Sequence, residues 1–172
     1  LFVDRNGEVQ GVYRKTHLFD VDFKGVHFRE SEAVAPGDSV TVVNSEFGKI
    51  GIAVCFDLRF PGLFRRLAAD GAWLVLVPAV FTVATGQAHW ELLARSRALD
   101  NQLFVCGCQG ASAPGAAFDP WGHSLVVDPW GSVIAGAERS EAIIYAEIDR
   151  EVVEWTRKSL PLETAGRPEL YS

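Results

Sequence analysis

Cys55 stands where an apolar run ends and a corner begins. The stretch Lys49-Ile50-Gly51-Ile52-Ala53-Val54-Cys55 reads as a buried strand, because an unbroken apolar run suits a strand covered on both faces. Charge, Pro and Gly follow in Phe56-Asp57-Leu58-Arg59-Phe60-Pro61-Gly62, and Leu63 to Asp70 then has helical spacing, with Pro61 tolerated in a first helical turn. A thiol at a strand–corner–helix junction lies at a sheet's carboxyl edge, near a helix N-terminus. Positive dipole ends and nearby cations lower a thiol pKa there, and the thiolate is the nucleophile. A free Cys also packs readily as a small hydrophobe, so local pattern leaves both roles open.

Other residues could serve such a thiol. Lys15 follows one strand-like run and precedes the apolar Leu18-Phe19. It is either a surface lysine at a strand end or a buried cation that lowers the Cys55 pKa and stabilises an oxyanion. Glu30 and Glu32, in Phe28-Arg29-Glu30-Ser31-Glu32, are either solvated carboxylates or a proton acceptor beside that pair. His17, His27, His89 and His123 are scattered, without the paired spacing of a zinc site. A Cys–His pair using His89 or His123 has no local signature to support it. No glycine-rich phosphate loop occurs. Cys106 and Cys108 share one face of an expected strand and read as core packing.

The elements that must position these residues can be read in order. Asn6-Gly7 between Leu1–Asp4 and Val9–Tyr13 signals a hairpin. Residues 24–38 look irregular, ending in the turn Pro36-Gly37-Asp38. Strands are expected at Val40–Val43, Lys49–Cys55, Trp73–Pro78 and Leu103–Cys108, with helices over 63–70 and 86–101 as parallel crossovers. A small, flexible stretch spans Gly110 to Pro120. A hairpin around Pro129-Trp130-Gly131 comes next, then a strand over Ala142–Ile148, a helix over 150–158 and a polar tail beyond Pro161. Hairpins mixed with β-α-β steps predict an α/β sandwich in one domain, residues 1–172.

Bulk composition narrows the class. The 172 residues are 48% hydrophobic and 22% charged, with a net charge of −6. Such a balance offers no basic footprint for nucleic acid, and no apolar run is long enough to span a bilayer as a helix. Three cysteines make no disulfide framework, which suits a reducing cytoplasm. The chain opens in strand-like Leu1-Phe2-Val3-Asp4 and contains no Met, which points to a missing N-terminal part.

Five motifs in order resemble the nitrilase superfamily of carbon–nitrogen hydrolases. They are Tyr13-Arg14-Lys15-Thr16-His17-Leu18-Phe19-Asp20; Phe28-Arg29-Glu30-Ser31 leading to Pro36-Gly37-Asp38; and Val54-Cys55-Phe56-Asp57-Leu58-Arg59-Phe60-Pro61. Thr85-Gly86-Gln87-Ala88-His89-Trp90-Glu91 with Arg95-Ser96-Arg97-Ala98, and Trp121-Gly122-His123-Ser124 with Val127-Asp128-Pro129-Trp130-Gly131, resemble its amidase branch. That branch includes the omega-amidases and deaminated-glutathione amidases. The resemblance runs from Leu1 to about Tyr171 and covers roughly the family's C-terminal two-thirds.

It implies a four-layer α-β-β-α sandwich, a homodimer or higher homo-oligomer, a small carboxylate-bearing amide as substrate, and neither metal nor cofactor. By the same resemblance Cys55 corresponds to the nucleophile, Lys15 to the catalytic lysine and Glu30, not Glu32, to the second glutamate. The Phe56 N–H would serve the oxyanion, and Arg59, Thr82, Thr85 and His123 are candidates to face the substrate carboxylate, with Phe81 and Trp121 as pocket walls. The family's first glutamate, its general base, has no counterpart here. An incomplete fragment or pseudoenzyme that acts only by association is therefore the second reading.

Overall fold

The computed structural model describes residues 1–23, 26–112, 115 and 118–170. A short ribbon comes first, β1 (Phe2–Val3) against β2 (Val9–Gly11). Gly7, at φ +84°, turns it, and Asp4 accepts from the backbone of Asn6 and Glu8. A second ribbon pairs β3 (Asp20–Phe23) with β4 (Val26–Arg29), and a 3₁₀ turn over Glu30–Glu32 follows. The irregular reading is corrected over 26–32. Val21 faces Phe28 and Phe23 faces Val26 across the ribbon, while Asp22 pairs with His27 and Arg29. The alternation is present in Asp20-Val21-Asp22-Phe23 and Val26-His27-Phe28-Arg29, but each arm is only four residues long, the shortest run over which a period of two can be read. Residues 24 and 25, like parts of 110–120 and residues 171–172, lie outside the described residues.

The main sheet has six strands in the order β10-β9-β8-β7-β6-β5. In chain order they are β5 (Thr41–Ser45), β6 (Gly48–Ile52), β7 (Leu74–Ala79), β8 (Phe104–Gln109), β9 (Leu125–Val127) and β10 (Val133–Gly136). Strands β6, β7 and β8 run parallel, and the outer pairs are antiparallel. Parallel neighbours need crossovers. These are α1 (Pro61–Ala69) and a longer helical stretch made of α2 (Val83–Thr85), a π turn over Gly86–Trp90 and α3 (Glu91–Asn101).

Both crossovers press on one face of the sheet. Leu63, Phe64 and Leu67 of α1 and Ala94 and Ala98 of α3 meet Val75, Val77, Val105 and Val127 in the larger core. A smaller core on the other side gathers Ile50, Leu74 and Phe104 under Val153 of α4 (Arg150–Ser159), with Phe2 and Ile148 beside them.

One further expectation is corrected. Ala142–Ile148 forms no strand: no described strand pairs with it, and Ile143 and Tyr145 are exposed. Alternating apolar residues specify a strand only when a partner edge satisfies their backbone. The tail beyond Pro161 carries α5 (Leu162–Ala165) and a 3₁₀ turn at Pro168–Leu170.

Candidate active site

The corner after β6 is a single 3₁₀ turn over Cys55–Arg59, and α1 begins only at Pro61. Cys55 has φ +49°, a left-handed conformation that costs a non-glycine residue about 1–2 kcal/mol. A reciprocal clamp holds it there: the Val54 N–H donates to Asp57 Oδ2 at 2.9 Å, and the Asp57 N–H donates to the Val54 carbonyl at 3.1 Å. The thiol donates to the Val80 carbonyl at 3.6 Å, and the Phe56 N–H lies against its sulfur. Burial pushes the thiol pKa up; Lys15 pulls it down and Glu30 pushes it further up. Lys15 acts in the expected direction, but the net direction is upward. Desolvation of the thiolate outweighs Lys15, and the helix start lies six residues on.

Lys15 and Glu30 meet directly. Lys15 Nζ donates to Glu30 Oε2 at 2.5 Å, with both side chains largely withdrawn from solvent. The Phe19 N–H donates to the same oxygen at 2.6 Å. Glu32 is exposed, and of the two glutamates Glu30 is the one in contact with Lys15. The Lys15 carbonyl accepts from the Gly37 N–H at 2.8 Å. Gly37 passes so close that a Cβ there would lie 2.2 Å from the Arg14 carbonyl oxygen. This explains the glycine in Pro36-Gly37-Asp38.

Arg59 extends from the same turn. Its guanidinium lies 5.7 Å from the Phe56 ring centroid and 5.3 Å from that of Phe81, and 3.3 Å from His89 Nδ1. Burial lowers its pKa, against the charge of Cys55. Among the described residues no carboxylate pairs with it. Beyond Phe81, Thr82 caps the helical stretch: its Oγ1 accepts from the Thr85 N–H at 3.3 Å and lies 2.9 Å from Thr85 Oγ1. The Trp121 backbone N–H donates to the Phe81 carbonyl at 2.9 Å, and its side chain packs on Gly86, where a Cβ would meet it at 2.2 Å.

His123 does not share the free disposition of Arg59. It stacks on Trp121, its Nδ1 lies 2.8 Å from the Trp121 carbonyl and its Nε2 3.5 Å from Glu138. Its own carbonyl receives the Trp90 indole N–H at 2.7 Å. Both ring nitrogens are engaged within the fold. Among the described residues no group of three or more His, Cys, Asp or Glu side chains is disposed to hold a metal, and no helix is long and apolar enough to cross a membrane.

Sequence reasoning missed a second cluster, centred on Asp57. This carboxylate is fully buried. Its Oδ1 accepts from the His17 N–H at 3.0 Å and Thr16 Oγ1 at 3.2 Å, and lies 2.8 Å from His17 Nδ1. Its Oδ2 accepts from Tyr13 O–H at 2.8 Å, besides the Val54 N–H. His17 stacks on Phe60 with centroids 3.6 Å apart. The available signal was an acid two residues past Cys55, between the apolar Phe56 and Leu58.

The carbon–nitrogen hydrolase family matches residues 1–158. A chloroplastic omega-amidase of Arabidopsis thaliana is 47% identical over 96% of this chain and 45% of its own length. Among solved structures, Saccharomyces cerevisiae Nit3, a member of branch 10 of the nitrilase superfamily, is 42% identical with a TM-score of 0.84. It covers 92% of this chain and 55% of that one. The Caenorhabditis elegans NitFhit protein is 37% identical with a TM-score of 0.92, over 99% of this chain and 42% of its own. The chain spans about half the length of the relatives it matches. Over that span it has the nitrilase fold, and it belongs to the carbon–nitrogen hydrolase family.

Proposed function

We propose that the chain carries the nucleophilic half of a thiol amidase acting on small linear amides that bear a second, distal carboxylate. The observation that carries this reading is the Lys15–Glu30 pair, whose charges act on a thiol held at φ +49° at the end of a parallel strand. Cys55 gives up its proton, and its sulfur attacks the amide carbonyl. The oxyanion that forms is met by the Lys15 ammonium and the Phe56 N–H. Protonation of the nitrogen breaks the C–N bond, ammonia leaves, and the acyl group stays on sulfur as a thioester. Water then adds, the C–S bond breaks, and a carboxylic acid and the thiol are released. A thiol whose pKa burial raises is protonated at rest, so a base must take its proton. That role falls to the glutamate implied by the family resemblance and unmatched in this chain, while Glu30 holds Lys15 and the hydrolytic water. Arg59 receives the substrate's distal carboxylate, since it is half-buried, lies near Cys55 and has no acidic partner among the described residues.

Ammonia release from 2-oxoglutaramate and from deaminated glutathione tests this directly. Cys55→Ala abolishes release, and Lys15→Gln lowers kcat by about 10²–10³, the usual effect of removing an oxyanion donor. Arg59→Gln raises KM for the carboxylate-bearing amide and leaves a neutral short-chain amide unaffected.

The second reading, a catalytically incomplete piece that acts by association, is favoured by the half-open apolar face of the sheet around Leu76 and Cys106. A folded chain that releases no ammonia and sediments as an assembly would support it. Cys55-dependent turnover by the chain alone would sink it.

A further inference from the structure

Asp57 stands outside the chemistry proposed above, yet it touches both segments that the chemistry needs. Tyr13, Thr16 and His17 bracket Lys15 in the chain, and all three hydrogen-bond to this one carboxylate. On the other side Asp57 binds the Val54 N–H, immediately before Cys55. The lysine segment and the thiol turn are about forty residues apart in sequence, and they are joined here through a fully buried acid.

We propose that Asp57 is the positioning residue of this site, locking the Tyr13–His17 segment onto the Cys55 turn and so fixing the distance between the Lys15 ammonium and the thiol. The proposal rests on the reading that Lys15 acts on Cys55. Three features of the geometry support it. Four donors, the His17 and Val54 N–H groups and the Thr16 and Tyr13 hydroxyls, converge on two oxygens and fill a carboxylate's roughly four lone-pair sites, so rotation of Asp57 breaks several bonds at once. The donors come from opposite sides, three residues from the lysine segment and one backbone N–H from the nucleophile turn. Finally, the stack of His17 on Phe60 closes the same junction from outside. Glu30 fixes the tip of the Lys15 side chain, Gly37 grips its carbonyl, and Asp57 holds the Tyr13 hydroxyl on one side of it and the Thr16 hydroxyl and His17 N–H on the other. Tyr13 remains a donor throughout the working range, because burial pushes its phenol up to about 12.

The test reads thiol reactivity and needs no turnover, so it stands apart from whether the chain completes catalysis. Iodoacetamide alkylation of Cys55 is followed against pH by peptide mapping, with Cys106 and Cys108 of the same molecules as references. In Lys15→Gln the Cys55 profile moves to higher pH, and alkylation near neutrality slows by about three- to tenfold, the scale of one lost charge contact. Asp57→Asn moves the profile the same way and leaves Cys106 unchanged. The double variant Asp57→Asn/Lys15→Gln goes no further than Lys15→Gln alone. Tyr13→Phe and Thr16→Val, which each remove one donor and spare the carboxylate, give smaller shifts in the same direction and keep the test open if Asp57→Asn fails to fold.

The proposal is overturned if the Asp57 and Tyr13 variants leave the Cys55 profile in place while Lys15→Gln moves it. It is equally overturned if the double variant shows two full, additive shifts. If Lys15→Gln itself moves nothing, the reading of Lys15 fails and Asp57 has no lysine to position.

Discussion

The two faces of the six-stranded sheet are built from neighbouring residues and end in different environments. On β7, Val75, Val77 and Ala79 face the helices and are buried; Leu74, Leu76 and Pro78 face the other way and pass from buried through half-buried to exposed. Strand β8 repeats the gradient, with Val105, Gly107 and Gln109 buried and Phe104, Cys106 and Cys108 progressively uncovered. The second face is covered at one end, where α4, Ile148 and Phe2 meet Ile50, Leu74 and Phe104. A continuous apolar strand therefore signals a central place in a sheet, while the cover over each face is set by other segments. The site sits at the carboxyl ends of β6 and β7, where the helical face is sealed and the opposite face is open.

The largest expected contrast is in stability. Phe64 is fully buried between α1 and the sheet, so Phe64→Ala should cost about 3–5 kcal/mol, by lost transfer energy plus a cavity. Leu76→Ala removes a half-covered side chain and should cost less than about 2 kcal/mol. Urea midpoints at constant m-value measure both. Equal losses would mean that the open face is covered in solution, and dilution of the protein would then shift the Leu76→Ala midpoint.

A finer contrast uses adjacent residues of one strand. A Cβ on Gly107 would lie 2.5 Å from Trp90 Cζ2, and Trp90 is itself buried and hydrogen-bonded to the His123 carbonyl. Gly107→Ala should destabilise by about 1–3 kcal/mol through overpacking. Cys108→Ala, one residue along and on the open side, should stay within about 0.5 kcal/mol. Thermal melts of the two variants decide whether the faces differ as the exposure does.

The same contrast explains what could be read from the chain. Local pattern made Cys55, Lys15 and Glu30 candidates only, and the resemblance to the carbon–nitrogen hydrolases singled them out; the structure pairs Lys15 with Glu30 and sets both charges near Cys55. The β-α-β steps followed from apolar runs and helical spacing, and the Pro129-Trp130-Gly131 hairpin from its turn residues. Asp57 was not legible as a hub, since its partners lie about forty residues upstream and periodicity carries no information on such pairing. The ribbon over 20–29 was only weakly legible, since each arm alternates over just four residues. Ala142–Ile148 was misread because strand-like composition was taken to imply a partner. Arg59 and His123 looked equivalent as candidate anchors, and only geometry separates an arginine without a carboxylate from a histidine engaged at both nitrogens.

The smallest effect concerns pH and the open face. Burial pushes the Cys106 thiol pKa up, and the neighbouring Cys108 adds to it. Below the unfolded thiol value of about 8.5 both states keep the proton, and this contribution to stability is fully present. As pH rises past that value the unfolded chain releases its proton while the folded chain retains it. The unfolded state then binds fewer protons, so stability falls with pH until the folded thiol also titrates. The melting temperature should therefore decline on the alkaline side, with a further decline above pH 10 from Tyr13, whose phenol is pushed up to about 12 by burial. Cys106→Ala should leave the second part of that slope and reduce the first, apart from the share of Cys55, whose thiol pKa burial also raises. Cys108→Ala should flatten it less, because its side chain is exposed and only its charge is felt by Cys106. If Cys108→Ala flattens the slope as much as Cys106→Ala does, the two residues are equally covered in solution and the gradient along β8 does not hold there.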